Sequence, residues 1–432
     1  MILPKVTGLC PHCGKEHTAA VRSILTGKNA LLSLPEALKK LGANKVYLLA
    51  DVNTWPVAGE KTAELLQNSG MACVPCIFSQ NRLEPDEHAI EEAKSHYDAS
   101  CNAVVSVGSG VLNDIGKIVA KDAGVPCAIV GTAPSMDGYA SATSSMAIGG
   151  VKVSLPSKCP EIIVGDTEIL KTAPEQMLKA GLGDMVAKYV SLGEWRIANI
   201  ITGEYYCPWV ADLVREAVKK CAENAVGLLR REDAAIDAVF EGLVLGGVAM
   251  AYAGVSRPAS GVEHYFSHIW DMRALEFGTN MDLHGIQCAV GTMLSARLYE
   301  KLKQQTPNRE KALRHAKEFD LNEYYVNLKA LLGSAAEPLI ELEKTEGKYD
   351  TAKHAKRLEI ILQNWDTILS VAKEEIPTVA ELEALFDAAK LPKTAEEIGM
   401  ETELLPMTLQ ATKDIRDKYV LSRLLWDLGM EL

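Results

Sequence analysis

The alternation of short apolar segments with helical segments between residues 46 and 164 is the strongest constraint on how this chain folds. Five segments are predicted to be buried strands: KVYLLAD, MACVPCIF, AVVSVGSG, VPCAIVGTAP and CPEIIVGD. Helical segments ending in glycine or polar residues separate the first four of them. This rhythm is typical of a doubly wound, mainly parallel sheet with helices on both faces. The sequence therefore predicts a Rossmann-like α/β domain.

The pattern changes after Lys171. From there the apolar residues recur with the period of amphipathic helices, and strand-like alternation disappears. We predict two domains, an α/β domain over residues 1–171 and an all-α domain over residues 172–432. Because ligands commonly bind between domains, we expect the functional site there.

The overall composition is that of a soluble globular protein. The chain has 432 residues, 48% of them hydrophobic, and a formal net charge of −12. This charge argues against nucleic acid or an anionic membrane surface as a partner, since both need a basic face. No secretory signal is visible, and the longest apolar run, FEGLVLGGVAMAYAGV, is predicted to be a buried helix rather than a membrane insertion.

Ten cysteines are scattered without a compact framework, which predicts reduced thiols and a cytoplasmic location. Cys10 and Cys13 form a C-x-x-C with His12 and His17 nearby. A zinc knuckle would need a second ligand pair at suitable spacing, and none follows. The pattern therefore favours a structural turn.

Three of the predicted strands end in polar residues, and doubly wound sheets bind ligands at the carboxyl ends of their strands. Asp51 closes the first strand, where an acidic residue can accept hydrogen bonds from a ribose. A turn or helix-capping aspartate is the equal alternative.

The second strand end is the segment Val107-Gly108-Ser109-Gly110-Val111-Leu112-Asn113-Asp114, which joins a strand directly to a helix. Glycines there let the backbone approach a pyrophosphate, and the N–H groups of the helix start complement its charge. Asp114 and Lys117 either orient a cofactor or pair with each other. The third strand end, from Gly131 to Ser141, concentrates hydroxyls, a proline and Asp137 in one loop.

The stretch from Ser256 to Gly285 holds three of the nine histidines. If Pro258 opens a helix, His264 and His268 share one of its faces, and a short loop can return His284 towards them. The arrangement is typical of a metal or proton-transfer site. Taken singly, each histidine is more often a satisfied structural group.

Asp184 follows two glycines in GLGDMVAK, which indicates a backbone that approaches another group closely. One carboxylate and two imidazoles with an open position form a known catalytic metal arrangement. Asp184 can complete such a set with two of the histidines, or it can cap the helix that follows.

Four stretches, GSGVLNDIGK, GTAPSMDGYAS, GLGDMVAK and SRPASGVEHYFSH, give the chain a family likeness. The chain resembles the sn-glycerol-1-phosphate dehydrogenase family, within the superfamily of iron-containing alcohol dehydrogenases and dehydroquinate synthases. The resemblance runs from the first Cys turn to the final WDLG helix and is nearest to the bacterial branch. It implies an NAD(P)-binding α/β domain and a helical metal domain.

The resemblance also implies roles for individual residues. Asp184, His264 and His284 are implied as metal ligands, and Asp137, Asp184 and His268 as substrate contacts, with Asp184 and His268 catalytic. The implied cofactor contacts are Asp51, Gly108, Gly110, Val111, Leu112, Asn113, Asp114, Thr132, Ala133, Pro134, Ser135 and Ser141. Ser109 departs from the family pattern, in which a third glycine is common.

The expected activity is the metal-dependent, NAD- or NADP-linked, reversible reduction of dihydroxyacetone phosphate to sn-glycerol 1-phosphate. Arg257 and Lys188 are our own candidates for binding the substrate phosphate. The expected metal is zinc or nickel, with iron as a further candidate. The alternative enzyme is a polyol dehydrogenase acting on an unphosphorylated substrate, and a non-catalytic scaffold is the alternative from another class. The family expectation is a homodimer or larger oligomer.

Overall fold

The first half of the chain forms one six-stranded, wholly parallel sheet. The computed structural model describes residues 1, 4, 8–149 and 151–430. The sheet has the order β1-β8-β5-β4-β2-β3, and β6 pairs with β7 as a separate antiparallel hairpin. The strands are β1 (Ser23–Gly27), β2 (Lys45–Asp51), β3 (Ala72–Phe78), β4 (Ala103–Gly108), β5 (Cys127–Gly131), β6 (Thr143–Ile148), β7 (Val151–Pro156) and β8 (Ile162–Asp166).

The strand order changes direction at β2, which lies between β3 and β4. The chain passes from β2 to β3 on one side and then returns to β4 on the other. In open α/β sheets, ligands bind outside the carboxyl ends of the strands at such a switch point. The switch point here lies between Asp51, which ends β2, and Gly108, which ends β4.

Helices surround the sheet and make up most of the second half. Those of the first half are α1 (Leu34–Lys40), α2 (Glu60–Asn68), α3 (Glu87–Ser95), α4 (Gly110–Ala123) and α5 (Thr167–Leu170). Those that follow are α6 (Glu175–Thr202), α7 (Pro208–Glu223), α8 (Ala225–Leu229), α9 (Asp233–Ala253), α10 (Val262–Phe277), α11 (His284–Leu302), α12 (Arg309–Glu318), α13 (Leu321–Leu332), α14 (Ala336–Glu346), α15 (Thr351–Gln363), α16 (Trp365–Glu375), α17 (Val379–Ala389), α18 (Leu405–Thr412) and α19 (Leu421–Asp427).

The predicted fold class is confirmed, and all five predicted strands are present. The sequence pattern did not predict β1 or the β6–β7 hairpin. In β1 only Ile24 is fully buried, and in β6 the buried positions include the polar Ser144. Periodicity of apolar residues is the primary sequence signal for a strand, and this periodicity is weak in β1 and in the hairpin.

One predicted helix boundary is wrong, and one segment of the predicted all-α domain is not helical. Pro258 does not open a helix; α10 begins four residues later, at Val262, after Gly261. Residues 413–420 form a break in the helical structure between α18 and α19. Asp414 in this break is buried and accepts hydrogen bonds from Tyr324 and Tyr349, both at 2.6 Å. These tertiary bonds stabilise a non-helical backbone that helix propensity alone does not predict.

The chain forms two compact units that do not follow the predicted boundary at Lys171. One unit contains residues 1–185 and 212–255, and the other contains residues 186–211 and 256–432. The physical reason for the first unit lies in α9. Its Phe240 fills the space over Gly131 of β5 and Gly165 of β8, where any Cβ atom would overlap the ring. This helix is therefore part of the α/β core.

The predicted buried helix in the apolar run is confirmed as α9. By length and composition alone, α9 is the one helix of the described residues that could cross a membrane, and 67% of its apolar window is buried within the protein. Buried core helices pass the same test. All ten cysteines lie in the described part of the chain, and none of them forms a disulfide there, as predicted.

Candidate active site

Asp51 organises the turn that follows β2. Its Oδ1 atom accepts hydrogen bonds from the backbone N–H of Asn53 (2.9 Å) and of Thr54 (2.7 Å). Asp51 therefore stabilises this turn, which is one of the roles considered for it. Because both amides bond to the same oxygen, Oδ2 remains as a second acceptor atom at the switch point of the sheet.

The β4–α4 junction forms a bare helix start at the same edge. A Cβ atom on Gly108 would lie 2.5 Å from Cδ1 of Leu112, so only glycine fits beneath the first turn of α4. Within the described residues, the side chain of Ser109 makes no capping hydrogen bond. The N–H groups at the start of α4 are therefore not capped by this side chain, and such a helix start favours an anion.

Asp114 and Lys117 pair with each other. The Lys117 Nζ atom lies 2.7 Å from Asp114 Oδ1 and also donates to the carbonyl oxygen of Thr143 (2.6 Å), while Asp114 Oδ2 accepts from the N–H of Ser145 (2.9 Å). Lys117 is fully buried. The pair therefore joins α4 to the start of β6 and holds the loop between β5 and β6. Of the two roles considered for these residues, the structure shows the pairing.

The loop after β5 is fixed to its neighbours at both ends. The N–H of Thr132 donates to the carbonyl oxygen of Gly108 (3.0 Å), which joins two of the predicted cofactor segments. The buried Tyr139 donates to the carbonyl oxygen of Ala133 (2.5 Å), and Ser141 Oγ accepts from the N–H of Thr143 (3.0 Å). Thr132, Ala133 and Ser135 are all buried. The loop is therefore a rigid platform beside β4.

Helix α6 approaches this loop through Gly181. A Cβ atom at that position would overlap the carbonyl oxygen of Pro134. This confirms a close backbone approach at Gly181, one of the two glycines before Asp184. Asp184 lies in the middle of α6, so the alternative role of helix cap is wrong. Its Oδ2 atom accepts the N–H of Asp137 (2.9 Å), which brings two predicted site residues together.

The three histidines of the second unit lie close together, as predicted. The ring centroids of His264 and His284 are 5.2 Å apart, and those of His268 and His284 are 5.9 Å apart. His264 and His268 are on α10, and His284 is the first residue of α11. The close contact of the two helices depends on Gly291, because a Cβ atom there would overlap the carbonyl group of Glu263.

Hydrogen bonds fix the orientation of two of these imidazoles. His264 Nδ1 lies 2.8 Å from Glu263 Oε1, and a carboxylate there favours the proton on Nδ1, which leaves Nε2 as the ring nitrogen able to bind a metal ion. Ser267 Oγ donates to Gln287 Oε1 (2.6 Å) and therefore accepts from His284 Nδ1 (2.9 Å). Partners of this kind orient histidine ligands in metal sites. The donor set fits a divalent metal ion.

Cys288 is a candidate ligand that sequence reasoning missed. Its Sγ atom lies 3.5 Å from His284 Nε2, and the ligand atoms of His264, His284 and Cys288 lie within 4.8 Å of one another. Burial raises the pKa of the Cys288 thiol, but His264 and His284 outweigh this effect and bring the pKa below its ordinary value. The signal was available, because Cys288 follows His284 by four residues on one helix face.

Buried carboxylates make the surroundings of His264 electronegative. Glu194 accepts the N–H groups of Val262 (2.9 Å) and Leu421 (2.7 Å), which anchors the start of α10. Burial and the nearby Glu263 raise the pKa of Glu194 to about 8. Glu263 is itself buried, and its Oε2 atom has no hydrogen-bond partner among the described residues. Such a site favours a cation.

Arg257 does not lie open to a substrate. Its guanidinium binds Glu204 through Nε (2.5 Å) and Nη2 (2.7 Å), and its Nη1 atom donates to the carbonyl oxygen of Tyr419 (2.8 Å). The side chain is only 4% exposed. This geometry argues against the predicted role of Arg257 as the phosphate contact, because the side chain is buried and its charge is paired with Glu204. Lys188 is fully buried and lies one helical turn after Asp184 in α6.

Comparison with known proteins identifies the class to which this fold belongs. Residues 25–174 match the family described as iron-containing alcohol dehydrogenase. Glycerol dehydrogenase from Schizosaccharomyces pombe superposes over 98% of this chain and 88% of its own, with a TM-score of 0.63 and 18% identity. A 1,3-propanediol oxidoreductase superposes over 93% of this chain and 94% of its own, with a TM-score of 0.62 and 16% identity. The fold is that of the iron-containing alcohol dehydrogenases.

Two named relatives identify the family of this chain within that class. A protein of Halalkalibacterium halodurans is 34% identical over 292 residues, which is 67% of this chain and 73% of the relative. A protein of Methanosarcina acetivorans is 32% identical over 279 residues, which is 64% of this chain and 76% of the relative. Both are named glycerol-1-phosphate dehydrogenase (NAD(P)+). The chain therefore belongs to the glycerol-1-phosphate dehydrogenase family. NAD(P) and a metal ion are consistent with that family.

Proposed function

We propose that this protein catalyses the reversible, NAD(P)-linked reduction of dihydroxyacetone phosphate to sn-glycerol 1-phosphate with one divalent metal ion. The observation that carries the proposal is the pair His264 and His284, whose Nδ1 atoms are both held by hydrogen bonds. The pair lies in a chain whose relatives are named for this activity.

The cofactor is proposed to bind at the switch point of the sheet. Asp51 Oδ2 would accept hydrogen bonds from the adenosine ribose, which favours NAD over NADP. The N–H groups from Gly110 to Asp114 would bind the pyrophosphate at the start of α4. The rigid loop after β5 would supply the remaining contacts, from Thr132, Ala133, Pro134, Ser135 and Ser141.

The metal ion is proposed to be held by Asp184, His264 and His284. Support comes from the oriented imidazoles and from the resemblance of GLGDMVAK and SRPASGVEHYFSH to the family motifs. Two imidazoles and a carboxylate suit zinc, nickel or iron, and the Cys288 thiol beside His284 favours a borderline metal such as zinc or nickel. When bound, the nicotinamide supplies the hydride and the metal ion polarises the substrate carbonyl.

The protein's own groups then position the substrate and the proton. His268 lies beside His284 and is proposed to hold a substrate hydroxyl or to donate the proton to the new alcohol oxygen. Asp137 is proposed to bind a substrate hydroxyl, and its N–H holds Asp184 in place. The phosphate is proposed to bind Lys188, a buried cation one helical turn after Asp184.

Replacing Ser267 with alanine is expected to lower metal affinity about 10–100-fold, because His284 loses the hydroxyl that orients it. Competition with a chromophoric chelator measures this affinity. Ser295→Ala is the matched control. Ser295 is likewise a buried serine, it lies on α11, and within the described residues its hydroxyl donates to the carbonyl oxygen of Gly291. Equal affinities for the two variants would contradict a role of His284 as a ligand.

Substrate preference tests the proposed function. With NADH and with NADPH, kcat/KM is expected to be at least about 100-fold higher for dihydroxyacetone phosphate than for dihydroxyacetone. Exhaustive chelation is expected to abolish both rates. Equal rates on the two substrates, or full activity without metal, would refute the proposal.

Lys188→Met is expected to reduce this preference about 10–100-fold, because a buried charged hydrogen bond to the phosphate is lost. The measured quantity is the ratio of kcat/KM for the two substrates, which a general loss of stability does not change. Lys413→Met is the control, since Lys413 is equally buried but lies over the ring of Tyr324 (4.1 Å). A preference that survives in Lys188→Met would assign the phosphate to another group.

A polyol dehydrogenase remains the second candidate. The pairing of Arg257 with Glu204 favours it, because one of the two expected phosphate cations is already paired. The same assay decides between the two, since a polyol enzyme would prefer the unphosphorylated ketone.

A cytoplasmic location and a homodimer or larger oligomer remain proposals, and light scattering on the purified protein tests the oligomer.

A further inference from the structure

We propose that Cys10, Cys13 and His17 form a second metal site, a structural zinc site near the start of the chain. The ligand atoms of these three residues lie within 4.8 Å of one another. Cys13 Sγ lies 3.3 Å from His17 Nε2. Zinc bonds of about 2.3 Å to sulfur and about 2.0 Å to nitrogen, at a tetrahedral angle, place two such atoms about 3.5 Å apart.

The backbone shapes this segment as a tight hairpin turn. Leu9 and Glu16 form an antiparallel bridge, and inside it the N–H of Cys10 donates to the carbonyl oxygen of Lys15 (2.8 Å). The N–H of Gly14 returns to the carbonyl oxygen of Cys10 (2.8 Å), with a φ of 70° at Gly14 that glycine adopts without strain. The turn brings the two thiols of a C-x-x-C to one side, as a zinc knuckle requires.

The imidazole of His17 is oriented for metal binding. Its Nδ1 atom donates to the carbonyl oxygen of Tyr252 (2.8 Å), at the end of α9. The proton is therefore on Nδ1, and the lone pair of Nε2 points towards Cys13. Metal-bound histidines almost always donate their other ring nitrogen to a carbonyl or carboxylate in this way. The bond also ties the turn to the core helix of the α/β unit.

The chemistry of the donors selects zinc. Thiolates and imidazoles are the ligands of structural zinc sites, in which four side chains complete the tetrahedron. Leu9 is 66% exposed, so its side chain adds little apolar packing to the turn. A metal ion supplies that stabilisation. The sequence pattern did not reveal this site because no second ligand pair follows the cysteines, while the third ligand is a single histidine four residues after Cys13.

The test is metal analysis and zinc X-ray absorption on the full-length protein. To separate this site from the proposed catalytic metal, the analysis uses the His264→Ala background. We expect one equivalent of zinc to remain there, with sulfur neighbours at about 2.3 Å. Cys13→Ser is expected to lose that equivalent, and Cys73→Ser is expected to keep it, since Cys73 is a similarly half-buried thiol on β3.

A second variant keeps the test decisive if Cys13→Ser does not fold. His17→Cys is expected to retain zinc and to show one more sulfur neighbour in place of a nitrogen. The proposal is overturned if the His264→Ala protein binds no zinc, if its zinc has no sulfur neighbour, or if Cys10 and Cys13 are found as a disulfide. None of these results depends on dehydrogenase activity.

Discussion

His264→Ala is expected to lower kcat/KM for dihydroxyacetone phosphate about a thousandfold. The imidazole is buried and held by Glu263 through Nδ1, so its loss removes an oriented ligand of the proposed metal site. A metal acting as a Lewis acid contributes several kcal/mol to transition-state stabilisation, and about 4 kcal/mol corresponds to a factor of about 10³. Steady-state NADH oxidation measures the effect.

Two controls separate this loss from misfolding. His96→Ala removes an exposed histidine that bonds to the carbonyl oxygen of Glu92, and it should leave activity unchanged. The His264→Ala protein itself should bind NADH with wild-type affinity, because the proposed nucleotide-binding segments belong to the other compact unit. Activity within fivefold of wild type would remove His264 from the catalytic machinery.

Gly181→Ala is expected to destabilise the protein by about 3 kcal/mol and to weaken NADH binding at least about tenfold. The added Cβ atom would overlap the carbonyl oxygen of Pro134, which is backbone and cannot rotate away. Forced overpacking typically costs 1–3 kcal/mol, more than alanine gains over glycine in a helix. The loop after β5 must therefore shift, and a shift of about 1 Å in a binding loop is costly.

Thermal unfolding and fluorescence titration with NADH measure the two effects. Gly193→Ala is the matched control on the same helix, because the nearest atoms to its Cβ atom would be side-chain atoms of Ile376 and Glu375 at 3.2–3.4 Å rather than a backbone carbonyl group. We expect this control to be close to neutral. If both variants bind NADH alike, the contact between Gly181 and Pro134 does not position the cofactor loop.

Local patterns were enough to predict the sheet and the site segments. Alternation of apolar and helical segments predicted five strands of the parallel sheet, and glycines at strand ends predicted the positions of the loops. The spacing of His264 and His268 predicted a shared helix. These features depend on residues close together in sequence, where backbone sterics and burial of one face act directly.

Tertiary contacts decided what the pattern left open or misplaced. Arg257 looked like a free cation in the sequence, yet Glu204, more than fifty residues earlier, neutralises it. Phe240 draws α9 into the α/β core, which moves the compact unit away from the boundary near Lys171. Such pairings depend on distances between segments far apart in sequence, and periodicity carries no information about them.

The sequence by itself determined the fold class, the nucleotide-type edge of the sheet and the histidine cluster, because each follows from short-range spacing. Only the tertiary structure decided how these groups are used. It placed the protons of His264 and His284 on Nδ1, it brought Cys288 beside His284, and it joined His17 to the cysteine turn. The physical reason is that hydrogen-bond direction and ligand distance exist only once separate helices and loops have packed together.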